Sequence, residues 1–481
     1  MRRRRFPAVT AVALAIVAAI ACSEPPTTAS GGAVDADDLP ECPLDALEAA
    51  DKPVSVNLWF GGLAGTTLQV MEDMAARFNA SQSDIRVTAN NQGESYEEVY
   101  RKFQSASGAQ NQLPGIIYLE DIQLQSMVDS GMVLPAEACM RADDYDIDAI
   151  LPVVRATYSV DDVLYPGYMN VSTPILYYNK AHFARAGLDP DDPPGTLDEL
   201  RETSQALKDA GIPRPLSFRM NRWFLDTWLT GIGQDIVNNG DGRDGQATEG
   251  ELDSDAAVEV LTWLQDMNDD GLLNPFANTE GSIDQYLALV NQDSSMLLET
   301  SVAAPTIRDA LGGNLDPSEA GVDAGDLAGV DLSPGSGEYP GVEEPGQVRA
   351  SGGAFYLLNT ADPAQQAAAW RFLKFMLEPE NAREWYVNGG YLPVDPAIYE
   401  DPEVQAFATD NVAGILLQPS YDQITSANPD NPGPLIGPYY DVGKTVETGM
   451  QAAIIDGQDP AEALGRTNSE VTDILQRYAG D

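Results

Sequence analysis

Strands and helices alternate along the first part of the chain, and this order constrains the fold more than any other feature. Strand-like apolar runs and the helical patterns that follow them lie at 54–60 and 68–79, at 85–89 and 96–107, and at 115–119 and 121–130. A strand followed by a crossover helix leads into a neighbouring parallel strand, so the sequence predicts a largely parallel sheet with helices on both faces. Ligands bind such sheets beyond the carboxyl ends of the strands. Those ends are predicted at 59–62, 91–96 and 120–121.

The chain from Tyr168 to Leu207 predicts a further α/β unit. An apolar strand (174–178) precedes a turn at Asn179-Lys180, a short helix, a proline-rich loop and a second helix. Thr196 and Glu199 have the spacing of a capping box at the start of that helix. The later helices and strands are predicted at 254–269, 283–291 and 363–377, and at 295–298 and 354–358. Residues 312–346 are rich in glycine, proline and aspartate and predict a long loop.

Three separated blocks of this sequence resemble the extracellular solute-binding proteins of ATP-driven importers. The blocks are NVSTPILYYNK at 170–180 with the A-G-L-D and E-L residues after it, SGGAFYLLN from Ser351, and AAAWRFLKFMLEPENAREWYVNGGYLPV ending at Val394. The resemblance covers essentially all of the mature chain. It implies a periplasmic-binding-protein-like α/β fold, in which two lobes with parallel-core sheets are joined by hinge crossovers. It also implies a protein that binds a small solute, without a cofactor and without chemistry, and delivers it to an ABC permease.

The same resemblance divides the mature chain between the two lobes. It implies a first lobe formed by residues 51–170 and 322–380, and a second lobe formed by residues 171–321 and 381–481. It further implies a monomer.

The N-terminus predicts export and lipid anchoring. Arg2 to Arg5 and the apolar run 8–21 have the pattern of a signal peptide over residues 1–21. Cys22 follows Ala19-Ile20-Ala21, which is similar to a lipobox and predicts a lipid on Cys22 at the extracellular face of the membrane. The alternative is an ordinary secretory signal with an incidental cysteine. Residues 22–50 predict a flexible tether because they contain few apolar side chains in a Ser-, Thr-, Pro- and Gly-rich stretch.

Charge and cysteine content restrict the partners and the compartment. The chain has 27 Lys and Arg residues against 75 Asp and Glu residues, a net charge of −48. This charge disfavours nucleic acids and anionic membrane surfaces as partners. With Cys22 lipidated, Cys42 and Cys139 form an even pair in an exported protein, which predicts a disulfide. Two free buried thiols are the alternative.

Enzymatic and metal sites find little support in the sequence. The only histidine, His182, is expected to be a partly exposed helix residue, and there is no G-x-S-x-G or phosphate-loop motif. A hydrolase that uses paired carboxylates remains an alternative, since acidic residues are abundant. A structural or adhesive lipoprotein is a third hypothesis. Residues 238–245, NNGDGRDG, are similar to a calcium loop, but Arg243 occupies a ligand position, which favours a polar turn.

Within the solute-binding family, the chain is most similar to the glycerol-phosphate and sugar binders, and this implies a set of ligand-binding residues. The aromatic of G-x-S-Y-x-E, the acidic residue after the third strand, and the hydroxyl of N-x-S-T-P correspond to Tyr96, Glu120 and Ser172. The other implied contacts are a serine, a glycine pair, the tyrosine of G-Y-L-P and a tryptophan that can stack on a sugar: Ser301, Gly352, Gly353, Tyr391 and Trp223. Each has a structural alternative as a cap, a turn or a core residue.

One departure from the family pattern bears on the ligand. The glycerol-phosphate binders place an arginine in a glycine-rich C-terminal segment, where this chain has Leu435, and Gly443 offers no substitute. Lys444 or Arg349 could compensate. A buried phosphate without a guanidinium partner is costly. The sequence therefore favours a neutral mono- or oligosaccharide or another polyol, with glycerol phosphate or a glycerophosphodiester as the alternative.

Overall fold

The computed structural model describes residues 33–34, 36–279, 282–311 and 333–480. The predicted signal peptide, Cys22, part of the tether and most of the loop at 312–346 lie outside these residues. The described chain has a mixed α/β architecture with two main sheets and two clusters of buried apolar side chains, the larger of which also covers one face of β8 and β11 in the second sheet. Within this part of the chain, no helix combines the length and the apolar surface that a membrane span requires.

Thirteen strands are described. The strands before the first crossover are β1 (Val54–Phe60), β2 (Ile85–Asn91), β3 (Ile116–Glu120), β4 (Val133–Leu134), β5 (Ser159–Val160), β6 (Val163–Leu164) and β7 (Pro166–Ser172). The strands after it are β8 (Pro174–Asn179), β9 (Leu216–Met220), β10 (Leu273–Ala277), β11 (Met296–Thr300), β12 (Pro334–Gly337) and β13 (Ser351–Leu358).

The first sheet has the order β2-β1-β3-β13-β4, and β7 also pairs with β13. β1 pairs in parallel with β2 and β3, as the alternation of strands and helices predicts. β13 is antiparallel to β3, β4 and β7, because it enters this sheet from the second lobe. The second sheet has the order β10-β9-β11-β8-β12. β9 pairs in parallel with β10 and β11, and β8 pairs antiparallel with β11 and β12.

Helices cover both sheets. The helices up to the second lobe are α1 (Ala46–Ala49), α2 (Gly65–Ser81), α3 (Tyr96–Ala106), α4 (Leu124–Asp129), α5 (Ala136–Ala142) and α6 (Pro152–Tyr158). Those that follow are α7 (Lys180–Ala186), α8 (Leu197–Asp209), α9 (Arg222–Gly231), α10 (Asp255–Asp269), α11 (Asp284–Val290) and α12 (Ala304–Leu311). The remaining helices are α13 (Pro363–Leu377), α14 (Pro379–Gly389), α15 (Pro402–Asp410), α16 (Val412–Ser426), α17 (Tyr439–Ile454) and α18 (Pro460–Gly480). Short 3-10 turns lie at Gln110–Gln112, Asp121–Gln123, Ile147–Ala149, Ser301–Ala303 and Pro396–Glu400.

The chain crosses three times between the two lobes that are built around the two sheets, which confirms the predicted two-lobe fold. The first crossing lies at Thr173, between β7 and β8, and the second between β12 and β13. The third lies between α14 and α16, because α14 packs on the first-lobe helix α2 whereas α16 packs on β8 and β12 of the second sheet. In this segment the Leu392 N–H donates to the Val171 carbonyl, beside the first crossing. The predicted lobe boundaries stay a prediction, and two elements fall outside them. β12 pairs within the second sheet, and α14 packs on the first-lobe helix α2, where Arg77 pairs with Glu380.

Local signals at helix ends explain several boundaries. Ser254 caps α10 by accepting a hydrogen bond from the Ala257 N–H, as its position predicts. Thr196 caps α8 in the same way, but the Glu199 carboxylate accepts from Gly195, one residue before the predicted partner. The expectation of a partly exposed His182 is wrong, because α7 packs this side chain inward and leaves it 2% exposed.

A disulfide ties the N-terminal segment to the first lobe. Cys42 and Cys139 are joined with a Cα–Cα distance of 4.9 Å across 97 residues of sequence. Cys42 precedes α1, and Cys139 lies in the buried face of α5. The bond therefore fixes the entry of the chain against a helix that follows β4.

Candidate functional site

The predicted site residues of the first lobe lie along one edge of its sheet. β1, β2 and β3 end there, and the antiparallel β13 begins there. In the register of the sheet, Gly353 lies opposite both Glu120 and Asn170. β7 ends at Ser172, next to the first crossing. The edge that holds these residues therefore adjoins the crossovers between the lobes.

Three tyrosines form a cluster at this edge, which we call the tyrosine cluster: Tyr96, Tyr118 and Tyr391. The hydroxyls of Tyr96 and Tyr118 lie 3.2 Å apart, and the Asn170 side-chain amide donates to the Tyr118 hydroxyl at 3.1 Å. Burial raises the pKa of Tyr391, and hydrogen bonds with Tyr118 and Tyr96 oppose this rise. A Cβ on Gly353 would lie 2.0 Å from the Tyr118 hydroxyl, so only glycine fits there. The cluster thus joins three predicted site residues through a tyrosine that the sequence did not indicate.

Glu120 faces the second lobe from the end of β3. Its carboxylate Oε1 lies 3.8 Å from Nη2 of Arg222, and 35% of its side chain is exposed. Burial among the groups of both lobes raises the pKa of Glu120 to about 7, while Arg222 acts in the opposite direction and Asp121 adds to the rise. A carboxyl group in this state can accept a hydrogen bond, and when protonated it can also donate one.

Arg222 is held by groups of the second lobe. It donates to Asp226 at 3.1 Å, and the Tyr439 hydroxyl donates to the same carboxylate oxygen at 2.7 Å. Its guanidinium lies 4.6 Å from the centre of the Tyr439 ring, a cation–π distance. A Cβ on Gly443 would lie 2.2 Å from Cδ of Arg222, so this glycine makes room for the arginine. Arg222 therefore reaches Glu120 with its charge already balanced by Asp226.

Arg349 occupies the second crossing. Its Nη1 donates to Asp121 at 2.9 Å, and the side chain is 2% exposed. The other oxygen of Asp121 accepts from the Gly352 N–H at 3.2 Å. A Cβ on Gly433 would lie 2.3 Å from Cδ of Arg349, so the segment between α16 and α17 leaves space for this arginine. The sequence left open whether Arg349 could replace the missing phosphate-binding arginine. Arg349 does lie between the lobes, but it is already paired with Asp121.

The remaining predicted residues belong to the first two crossings and to the second lobe. Ser172 is buried and its carbonyl accepts from Ser351 at 3.3 Å. Gly352 has a φ of +123°, and a Cβ there would lie 2.1 Å from the Asn170 carbonyl oxygen. Ser301 and Trp223 belong to the second lobe, and both have a buried polar atom without a hydrogen bond in the part of the chain that is described. Ligand contact by these residues stays a prediction.

Sequence reasoning missed Tyr118 and Arg222. Tyr118 is the one polar-tipped residue in the aliphatic run of β3, and a buried tyrosine usually has a partner for its hydroxyl, which is the signal that could have found it. Arg222 stands beside Trp223, which was predicted, but its partners Asp226 and Tyr439 are brought together only by the packing of α9 on α17.

The described residues contain no group of three or more His, Cys, Asp or Glu side chains that could hold a metal ion. The segment 238–245 forms a turn in which Asn239 and Gly240 have left-handed backbone angles. The turn conformation is compatible with the sequence interpretation, and the choice of a polar turn over a calcium loop stays a prediction.

Glu120 should make the stability of the ligand-free protein depend on pH. Its folded-state pKa of about 7 lies above the ordinary value of 4.5, so its contribution is fully present below about pH 4.5 and is lost as the pH rises through about 7. Urea unfolding should therefore show that the difference in free energy of unfolding between the unsubstituted protein and Glu120→Gln falls from about pH 4.5 to about pH 7 and is constant at higher pH. Glu72→Gln, at an exposed position, is the control. Parallel pH profiles for the protein and Glu120→Gln would contradict the expectation.

Comparison with protein families and with known proteins identifies relatives of this chain. The profile of a family described as bacterial extracellular solute-binding protein matches residues 73–410. The chain is 24% identical over 449 residues to the sn-glycerol-3-phosphate-binding periplasmic protein UgpB of Pectobacterium atrosepticum, covering 91% of this chain and 95% of the relative.

Solved structures resemble the fold over most of its length. The GacH receptor of Streptomyces glaucescens, solved unliganded and with acarbose, has a TM-score of 0.69 at 18% identity and covers 89% of this chain and 99% of its own. UgpB of Mycobacterium tuberculosis, in complex with glycerophosphocholine, has a TM-score of 0.66 at 18% identity, and the match covers 89% of this chain and 100% of UgpB. At these identities the likeness concerns the fold.

Proposed function

The chain belongs to the bacterial extracellular solute-binding protein family, and we propose that its solute is an uncharged carbohydrate, a mono- or oligosaccharide, or a related polyol. As a member of this family it is the solute-binding component of an ABC importer. We propose that the solute binds between the lobes at Glu120 and the tyrosine cluster and is delivered to the permease without being altered.

The observation that carries this proposal is the charge balance around Glu120. Each arginine near this carboxylate has an acidic partner: Arg222 pairs with Asp226, and Arg349 pairs with Asp121. A bound phosphate would have to compete with these carboxylates for the guanidinium groups. Glu120 itself would repel an anion, whereas sugar hydroxyls can donate to it and C–H faces can lie on the tyrosine rings.

The position of the family's phosphate-binding arginine supports the same choice. Leu435 stands there, buried, with its N–H donating to the Asp241 carbonyl at 2.8 Å. An aliphatic side chain at this point offers no charge to a phosphate. The net charge of −48 also disfavours anionic solutes.

We propose the following ligand contacts, on the two walls and at the crossovers: Tyr96, Glu120, Ser172, Trp223, Ser301, Gly352, Gly353 and Tyr391. Tyr118 and Arg222 join them as groups that fix Tyr96 and Glu120. The unsatisfied Trp223 Nε1 and Ser301 Oγ are polar atoms that a hydroxyl-bearing solute could satisfy.

We further propose that the protein acts as a monomer, anchored at the extracellular face of the membrane by a lipid on Cys22. The sequence of residues 1–22 supports this proposal, and the acidic tether then separates the two lobes from the membrane. Mass spectrometry of the N-terminal peptide from native cells would test it, since a diacylglycerol-modified Cys22 is expected.

A second candidate, glycerol phosphate or a glycerophosphodiester, has one observation in its favour. Nε and Nη2 of Arg349 are buried and have no hydrogen bond in the described part of the chain. A phosphate oxygen could accept from both atoms. A substitution of Arg349 therefore distinguishes the two candidate ligands.

A thermal-shift and calorimetric panel decides between the candidates. We expect neutral sugars or polyols to raise the melting temperature, sn-glycerol 3-phosphate and glycerophosphocholine to leave it unchanged, and product analysis to find the bound sugar intact. Stabilisation by a phosphate compound that is lost in Arg349→Gln would establish the second candidate instead. Release of hydrolysed sugar would contradict both and support the hydrolase alternative.

A further inference from the structure

An arginine of the second lobe reaches across to the first lobe. Arg243 donates to the carbonyls of Ala156 and Ser159 through Nη1, at 3.1 and 3.0 Å, and to the Thr157 carbonyl through Nη2, at 3.2 Å. Its Nε donates to the Gly433 carbonyl, in the segment between α16 and α17, at 2.9 Å. One guanidinium thus connects three parts of the chain that are distant in sequence.

The carbonyls that Arg243 contacts lie at the C-terminal end of helix α6, where a cation binds favourably. α6 ends at Tyr158, and the last carbonyls of a helix lack partners within the helix and carry a partial negative charge. Burial lowers the pKa of Arg243 to about 10, and Asp241 acts in the opposite direction. The side chain therefore remains charged at neutral pH, and its cost of desolvation is offset by four hydrogen bonds.

The loop that carries Arg243 is shaped in advance. Residues 239–242 all have a left-handed φ, between 58° and 79°. The Asp241 carboxylate accepts from the N–H groups of Ile236 and Val237, and its carbonyl accepts from the Leu435 N–H at 2.8 Å. A Cβ on Gly242 would lie 2.3 Å from the Leu435 carbonyl oxygen. The loop is therefore held against the segment between α16 and α17 independently of the contact of Arg243 with α6.

Two cavities flank this contact. One of about 930 Å³ is bordered by Arg155 of the first lobe and Asp235 of the second, and one of about 610 Å³ by Gln125 and Tyr478. Arg243 borders both cavities. On this side the lobes are separated by open space, and the arginine spans it. The Tyr478 hydroxyl makes another contact between the lobes, to Asp129 at 2.6 Å.

We infer that Arg243 is a positioning residue for solute binding: by fixing the 238–245 loop on the C-terminal end of α6, it sets the separation of the two lobes at which Glu120 and Arg222 face each other. The inference rests on the proposed binding of a solute between the lobes. Without this contact the lobes gain other arrangements, and the fraction of molecules competent to bind falls, which weakens the apparent affinity by that fraction.

The test compares Arg243→Gln, Arg243→Lys and the control Arg201→Gln, which removes an arginine paired within the second lobe. Small-angle X-ray scattering of the ligand-free full chain measures lobe separation, calorimetry with the panel sugar measures affinity, and thermal melting measures stability. We expect Arg243→Gln to have a larger radius of gyration and an affinity about tenfold weaker. Arg243→Lys should partly restore the radius of gyration and the affinity, and Arg201→Gln should change neither quantity.

Two results would overturn the inference. One is a scattering profile of Arg243→Gln identical to that of the unsubstituted protein. The other is a lowered melting temperature with unchanged affinity, because a purely structural role would give that result. If no sugar of the panel binds the unsubstituted protein, the proposed function fails, while scattering still decides the role of Arg243. If Arg243→Gln does not fold, Arg243→Lys supplies the comparison.

Discussion

Replacing both Cys42 and Cys139 by serine is expected to lower the free energy of unfolding of the first lobe by about 4–5 kcal/mol. The bond closes a loop of about 97 residues, and in the chain-entropy model a loop of this length gives a contribution of that size. Both cysteines precede the first crossing, and α5, which carries Cys139, packs on β6 and β7, so the second lobe should be unaffected. Urea unfolding followed by far-UV circular dichroism measures the change.

The control for the disulfide prediction is the unsubstituted protein unfolded in the presence of a reductant, which should behave like the double variant. A trypsin digest during unfolding separates the lobes, since peptides of the first lobe should be released at lower urea concentration than those of the second. A loss below about 1 kcal/mol would mean that the reduced chain retains structure that the model of an unconstrained loop ignores.

Glu120→Ala is expected to weaken solute binding at least about 100-fold. Hydrogen bonds to charged groups contribute about 1.5–3 kcal/mol each, and about 2.7 kcal/mol corresponds to a factor of 100 in the dissociation constant. Removing the carboxylate also leaves Arg222 with Asp226 as its only close acidic partner. Isothermal titration with the sugar identified in the panel measures the change.

Glu72→Gln is the matched control for this experiment, because it removes a carboxylate from an exposed face of α2. Its affinity should equal that of the unsubstituted protein. Circular dichroism should show that Glu120→Ala remains folded. An unchanged affinity in a folded Glu120→Ala variant would remove this residue from the site and leave the tyrosine cluster without its acidic neighbour.

Local patterns predicted much of the fold. β1 and α13 begin and end at the predicted residues, and the caps at Ser254 and Thr196 are present. These features depend on residues that are close in sequence, where alternation, capping and proline at the first turn carry the signal.

The features that sequence reasoning missed depend on distant pairing. The family resemblance assigned the strand after Ser351 to the first lobe, but nothing near it indicates that β13 pairs between β3 and β4. Nothing near Arg243 indicates the carbonyls it contacts, which are 84–87 residues away. For the site, the strand ends led to Glu120 and Tyr96, but Arg222 and Tyr118 became apparent only once both lobes were folded. Such contacts have no local periodicity to reveal them.

The late position of β13 has a consequence for how the protein is made. β3 and β4 are synthesised long before Ser351, yet each needs β13 as its neighbour to complete its backbone pairing. A growing polypeptide therefore cannot finish the first lobe while its N-terminal third leaves the ribosome. We expect that delay to favour an incompletely folded chain during the interval in which an exported protein has still to cross the membrane.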